Sequence, residues 1–324
     1  MILVGDIGGT NTRLALAEHG GTITNRQDFP SQSYPSLTKA VREFLESNNP
    51  TLEAASFGIA GPIEDDRCEA TNLPWVVDRQ ELKDLLALDR VALLNDLEAA
   101  AHGIAALKPA DYAVLNQGQP GQAGNAAVVA AGTGLGMAGL YWNGSAHQPF
   151  ATEGGHVDFA PRNDLEVDLY RSLRDAFGRV TYERVTSGPG ILNIYRFLKD
   201  SSRYTEEPDL AAALSDSNEP ARVITTAALE KTSPLCEKTV SVFLSAYGAQ
   251  AGNAALQYLA VNGVWLTGGI IAALHHQGLP LDDFVTSYKD KAPFEELVAS
   301  IPVRAVLDNA VALKGAAAHV LSST

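Results

Sequence analysis

One short pattern appears twice in this chain, and it limits the possible folds more than any other feature. Ile2 to Asp6 is an apolar, β-branched run. Gly8-Gly9-Thr10-Asn11 follows it with turn chemistry, and Arg13-Leu14-Ala15-Leu16-Ala17 resumes the apolar run. In the second half Ala127 to Ala131, Gly132-Thr133-Gly134 and Met137 to Trp142 repeat that order, and Asn143-Gly144 closes it with a hairpin signal. A strand, glycine/threonine turn, strand unit in each half predicts two related α/β lobes. The 324 residues exceed one ordinary domain of about 100–200 and suffice for two cores.

Other segments fill in that frame. Thr22 to Thr24 continues past a turn at His19-Gly20-Gly21. Leu37, Val41, Phe44 and Leu45 recur at helical spacing and predict a helix from Ser36 to Ser47. Ala55 to Ala60 reads as a buried strand closed by Gly61-Pro62, and Leu82 to Leu86 as helix. Arg90 to Leu94 reads as strand and Leu97 to Leu107 as an alanine-rich helix. Asn116 to Asn125 is a polar, glycine-rich loop, and Ser201 to Arg222 is polar surface helix and loop. A long helix is expected over Lys238 to Leu259, a strand at Gly263 to Thr267, and a closing helix at Ala310 to Val320.

Composition removes several classes. Hydrophobic residues at 46% and charged residues at 19% describe a globular chain. A net charge of −14 with no basic stripe argues against nucleic acid and anionic membranes as partners. Cys68 and Cys236 form no CxxC pair, which argues against a zinc site and fits a reducing cytoplasm. The N-terminus lacks the charged and apolar regions of a signal peptide. Ala126 to Trp142 falls short of the ~20 continuous apolar residues of a membrane span and is broken by glycines.

The glycine turns suit an anionic ligand, because backbone amides approach a phosphate closely only where side chains do not intrude. Either turn alone reads as an ordinary hairpin. The pair, with Asp6 positioned to hold magnesium directly or through water, points to phosphate chemistry. No GxxxxGK[ST] occurs, and HRD and DFG signatures are absent. Gly134 to Gly139 matches GxGxxG, but Leu140-Tyr141-Trp142 runs into a hairpin where a dinucleotide site needs a helix.

Asn95-Asp96 stands where a buried strand meets a helix, the place where open α/β sheets put ligands. There Asp96 suits a general base, although position alone favours a plain helix cap; the two roles are compatible. Glu153-Gly154-Gly155-His156 and Glu183 offer donors and acceptors for hydroxyl groups, although alone they read as loop and surface polarity. Gly268-Gly269 after a strand reads as a turn or as room for a flat base.

Together these residues resemble the bacterial glucokinase family of the hexokinase/actin-like ATPase superfamily. The resemblance rests on GDIGGTNTRLAL from Gly5, TNLPW from Thr71, LLNDLEA from Leu93 and AAGTGLG from Ala130. EGGHVDFAP from Glu153, ERVTSGPG from Glu183 and LTGGI from Leu266 complete it, in family order and over nearly the whole chain. Val157-Asp158-Phe159-Ala160-Pro161 replaces the cysteine-rich zinc motif of the related repressor/kinase group. The chain departs from the family at Thr12, where alanine is usual, and at Leu97, where an aromatic is common.

The resemblance implies a two-lobed α/β fold of the actin-like, ribonuclease H-like kind, with mixed sheets and the active site in the interlobe cleft. A small domain of residues 1–106 plus 308–324 and a large domain of 107–307 are expected, with hinges near Leu107 and Asp308. It implies Asp96 as base on the sugar 6-hydroxyl, with Asn95, Glu153, His156 and Glu183 on the other hydroxyls and Asn72 as a further sugar contact. Gly5, Asp6, Ile7, Gly8, Gly9, Thr10 and Asn11, with Gly132, Thr133 and Gly134, would cradle the ATP phosphates. Gly268 and Gly269 would border adenosine, and Asp6 would position Mg2+.

The activity implied is phosphorylation of glucose to glucose 6-phosphate by ATP, by direct in-line transfer at the first step of glycolysis, in a cytoplasmic homodimer. Alternatives are a kinase of the same fold for mannose, fructose or an N-acetylhexosamine, a catalytically silent sugar-binding regulator, or an actin-like filament or chaperone ATPase. Asp6, Asn95 and Asp96, and the lack of a helix-turn-helix before Met1, speak against the regulator. The EGGH-type hydroxyl cluster speaks against the filament former.

Overall fold

Strand β1 (Ile2–Ile7) is buried on both faces, as expected for the middle of a sheet packed by helices on either side. A computed structural model describes residues 1–322 of the chain. It divides them into two compact units, one of Met1–Asp111, Gln148–Ala151 and the segment from Asp308, the other of Tyr112–His147 and Thr152–Leu307. The expected small domain stopped at residue 106. The unit runs on to Asp111, whose side chain accepts from the Lys108 amide and whose carbonyl accepts from the Asp308 amide. Residues 323 and 324, the end of that expected domain, lie outside the described residues.

In the first unit β1 is followed by β2 (Asn11–Ala17), β3 (Ile23–Pro30), α1 (Leu37–Asn48) and β4 (Ala54–Ile59). Three short strands, β5 (Ile63–Glu64), β6 (Arg67–Glu69) and β7 (Val76–Asp78), form a small sheet of their own that sequence reading missed. Then come α2 (Arg79–Leu86), β8 (Val91–Asn95) and α3 (Asp96–Ile104). The main sheet has the order β3-β2-β1-β4-β8, with β1, β4 and β8 parallel. Alternation along β1 sends Leu3 and Ile7 to a core with Leu37, Val41 and Phe44 of α1. Ile2 and Val4 pack on the other face.

In the second unit β9 (Tyr112–Asn116), β10 (Ala126–Ala131), β11 (Leu135–Trp142) and β12 (His147–Thr152), of which Gln148–Ala151 group with the first unit, precede α4 (Asp164–Phe177) and α5 (Gly188–Asp200). The polar stretch after Ser201 holds α6 (Pro208–Asp216) and is followed by α7 (Pro220–Leu229) and α8 (Pro234–Gln257). Helix α8 starts earlier than expected because Ser233 caps it and Pro234 takes its first turn. Its Tyr247 hydroxyl donates to the Val129 carbonyl of β10 at 3.0 Å. Next are β13 (Gly263–Thr267), α9 (Gly269–His276), α10 (Asp282–Lys289), α11 (Glu295–Ser300) and β14 (Val303–Val306). The chain closes with α12 (Val311–Ser322), which packs Leu313, Ala316, Ala317 and Val320 on Ile2 and Val4 of the first unit.

The second sheet has the order β12-β11-β10-β13-β14-β9. Its first five strands repeat the order of the first sheet, and in both the hairpin strand is antiparallel and the later two are parallel. This is the mixed-sheet α/β architecture expected for the actin-like ATPase fold. Ala126 to Trp142 is the antiparallel β10–β11 pair, with Ala131 opposite Leu135. The GxGxxG match therefore lies in a strand. Among the described residues no helix is long and apolar enough to cross a membrane.

Candidate active site

In the first unit the parallel register puts Asp6 level with Gly58 and Leu94, and Ile7 level with Ile59 and Asn95. The carboxyl ends of three neighbouring strands thus bring Asp6 and the start of α3 to one edge, where such sheets place ligands. Gly5 is a packing residue, since a Cβ there would lie 2.6 Å from Phe57, and Ile7 is buried in the core. The turn itself is Gly8–Asn11, closed by the Gly8 amide donating to the Asn11 carbonyl at 3.0 Å. A Cβ on Gly9 would meet Asn72 and the Thr71 carbonyl at 3.2 and 3.3 Å, so the loop holding Asn72 lies directly against the phosphate-type turn. Asn72 takes the left-handed conformation, φ 63°.

Asp6 forms an ion pair with Arg13, Nη1 to Oδ2 at 2.6 Å, with the carboxylate largely buried. Arg13 escaped the sequence reading. The signal was available, because the tight turn sets the hairpin register that places Arg13 opposite Asp6.

Asn95 caps α3. Its Oδ1 accepts from the amides of Leu97 and Glu98, and its Nδ2 donates to the Gly61 carbonyl at 3.2 Å. Asp96 is therefore the first helical residue, with the cap role falling to its neighbour. Its Oδ1 accepts from the Leu97 amide at 2.9 Å. The helix N-terminus favours the ionised form of a carboxyl placed there. Burial raises the Glu98 pKa in the same turn. The Cys68 thiol is pushed up to about 11 by burial, helped by the Asp96 and Glu69 charges.

In the second unit the turn Gly132–Gly134 is closed by the Gly132 amide on the Gly134 carbonyl at 2.9 Å. The ERVTSGPG segment braces it from two sides. The Gly188 amide donates to the Gly132 carbonyl at 2.8 Å, and the Glu183 carboxylate accepts from the Leu135 amide at 3.0 Å. A Cβ at position 134 would lie 2.6 Å from Glu183 Oε2, so a side chain there would displace that carboxylate. Gly132 has open space where a Cβ would stand. Thr133 lies between them at the tip of the turn. Gly268, at φ 91°, packs against the same strand end, where a Cβ would meet the Ala131 carbonyl at 2.3 Å; Gly269 next to it is open.

His156 lies between two carboxylates. Its Nε2 is 4.0 Å from Glu153 and its Nδ1 is 4.0 Å from Glu183. The loop reaches this position because Gly155 packs on the Leu135 carbonyl, where a Cβ would fall 1.7 Å away. A short ribbon then joins it to the Glu183 segment through Tyr182 to Val157 and Phe159 to Val180 backbone bonds, both 3.0 Å. Arg179 adds bonds to Asp158 and to the His156 carbonyl, and sequence reading had no signal for it. The second unit thus brings Glu153, His156 and Glu183 together beside the Gly132–Gly134 turn. The arrangement offers acceptors and donors to a polyol and open amides to an anion.

For Mg2+ the donor set is the Asp6 carboxylate alone, and no group of three or more histidine, cysteine or carboxylate ligands occurs among the described residues. Magnesium keeps several waters and takes one or two carboxylates plus substrate phosphates, so a single partly paired carboxylate fits an ion carried in with a nucleotide.

Comparison with known proteins points one way. The family model described as glucokinase matches residues 3–323. A glucokinase from Nostoc punctiforme is 38% identical over 98% of this chain and 98% of its own length. The crystal structure of a glucokinase from an Antarctic psychrotroph is 30% identical, covers 99% of both chains and superposes with a TM-score of 0.82. A glucokinase from Balamuthia mandrillaris in complex with glucose, 21% identical, covers 98% of this chain and 92% of its own, and shares the fold with a TM-score of 0.81.

Proposed function

This chain belongs to the glucokinase family and transfers a phosphoryl group from ATP to glucose, and we propose how its residues divide that work. Asp96 takes the proton of the glucose 6-hydroxyl as that oxygen attacks the γ-phosphorus. The bond from the γ-phosphorus to the ADP oxygen breaks, and the proton ends on the Asp96 carboxylate. Its place at the first position of a helix capped by Asn95 supports this role, since the cap fixes the first turn and the Leu97 amide holds the carboxylate at the helix N-terminus.

Glu153, His156 and Glu183 orient the remaining hydroxyls, with Asn72 and Asn95 as further contacts. Asn95 has one amide hydrogen left for a sugar once its cap bonds and its bond to Gly61 are made. The Gly8–Asn11 and Gly132–Gly134 turns hold the phosphates through backbone amides, and Gly268 and Gly269 border the adenosine. Asp6 would hold Mg2+ through water; the ion supplies positive charge to the β- and γ-phosphate oxygens. A cytoplasmic homodimer is the setting we propose, supported by the family likeness and by two free, buried cysteines.

The observation that carries the reading is the imidazole of His156 set 4.0 Å from each of two carboxylates, on a loop packed against the second glycine turn. The test is ADP release from MgATP with glucose, mannose, fructose and N-acetylglucosamine, against a no-sugar control. Strong stimulation by glucose, and its loss in Asp96→Ala with glucose affinity retained, is the expected result. Near-normal turnover in Asp96→Ala would overturn the assignment of the base. Stimulation by another hexose alone would overturn the assigned role of the hydroxyl contacts.

A further inference from the structure

We propose that Thr12 and Ser31 form a hydroxyl relay that positions the Gly8–Asn11 turn for the nucleotide; it rests on reading that turn as an ATP phosphate cradle. Both side chains are fully buried. Ser31 Oγ donates to the Gly8 carbonyl at 2.7 Å, and Thr12 Oγ1 lies 3.0 Å from Ser31 Oγ. A carbonyl can only accept, so the single Ser31 hydrogen goes to Gly8 and the Thr12 hydroxyl donates to Ser31. The order is Thr12, Ser31, Gly8.

The backbone of Ser31 continues the same grip. Its amide donates to the Thr10 carbonyl at 2.9 Å. This follows from the ladder, in which Asn11 faces Pro30, a residue with no amide hydrogen, so that the next residue supplies the donor. The Asn11 carbonyl is taken by the Gly8 amide at 3.0 Å. Three carbonyl oxygens of the turn are thus held by protein donors.

Those oxygens decide what the turn presents. A carbonyl turned toward a phosphate repels it, whereas successive amides form an anion-binding concavity. Peptides flanking glycine flip easily, because glycine tolerates both signs of φ. The relay removes that freedom at Gly8, so the amides need no reorganisation when an anion arrives. Thr12 is the position at which this chain departs from the usual alanine of the family motif.

The experiment measures ADP affinity by calorimetry, together with KM for ATP and for glucose, in the full-length wild-type chain and in four variants. Ser31→Ala should weaken ADP binding and raise KM for ATP about tenfold, with KM for glucose changing less than about twofold. Thr12→Ala, which removes the outer hydroxyl of the relay, should weaken ADP binding about threefold, and Thr12→Ser should restore it. Equal ADP affinity in Thr12→Ser and Thr12→Ala would overturn the relay. Thr10→Ala alters the turn itself. Weakened ADP binding in Thr10→Ala with unchanged binding in a folded Ser31→Ala overturns the relay alone. Unchanged binding in both, with a glucose effect instead, overturns the phosphate reading on which it rests.

Discussion

Nδ1 of His319 lies 3.1 Å from Nε2 of His102, the two rings meeting edge to face where α12 packs on α3. Burial, helped by the His319 ring, lowers the His102 pKa to about 4 from the ordinary 6.5. Burial lowers His319 as well. The folded protein therefore binds fewer protons than the unfolded chain between these values, so its stability is complete above about pH 6.5 and falls as pH drops toward 4. By pH 5 the loss from His102 should be about 1 kcal/mol after allowance for its partial exposure. Melting curves at pH 7.5 and 5 should show it, and His102→Gln should flatten the difference.

The same two helices meet at Gly315. A Cβ there would lie 1.7 Å from the Ala99 carbonyl and 2.5 Å from the Gly103 amide. Gly315→Ala must push α12 off α3 and should cost about 3 kcal/mol, lowering Tm by roughly 5 °C. Because α3 begins at Asp96, kcat should fall further than KM rises.

Glu183 has two tasks that substitution can separate. Its Oε2 accepts from the Leu135 amide, while its Oε1 faces His156. Glu183→Gln keeps an oxygen for Leu135 and should melt within a degree or two of the wild type, with KM for glucose raised about tenfold. Glu183→Ala loses both and should also lose about 1–3 kcal/mol of stability through the orphaned amide.

Asp6→Asn keeps the size of the side chain and removes its charge. The Arg13 partner at 2.6 Å then loses its carboxylate, and under the proposed role of Asp6 a magnesium ion would lose the charge that holds it. The Mg2+ concentration for half-maximal rate should rise about tenfold, with KM for glucose little changed.

Glycine turns, apolar strands and capped helices were legible because each is a local signal. β13 is predicted at its observed bounds, and α1 within a residue at each end, Ser36 being its N-cap and not its first helical residue. The Ala126 to Trp142 hairpin followed from glycines that interrupt an otherwise apolar run. What escaped depended on partners far along the chain. The β5–β7 sheet has strands of two or three residues, too short for any periodicity. Glu183 as a brace of the second turn required knowing that Leu135 lies beside it, and Ser31 as a brace of the first required the β2–β3 register. Asp96 was misassigned as a possible cap because Asn and Asp are equally good at that task, and only the φ,ψ of Asn95 decides between them.

The cap at Asn95 also limits how this enzyme can be redesigned. Its carbonyl oxygen is committed to two amides of α3, so a residue there that cannot cap loosens the first turn and shifts Asp96, the proposed base, with it. Laboratory evolution toward a new sugar should therefore leave position 95 untouched and accumulate its changes around Glu153 and His156, on exposed side chains that carry no helix.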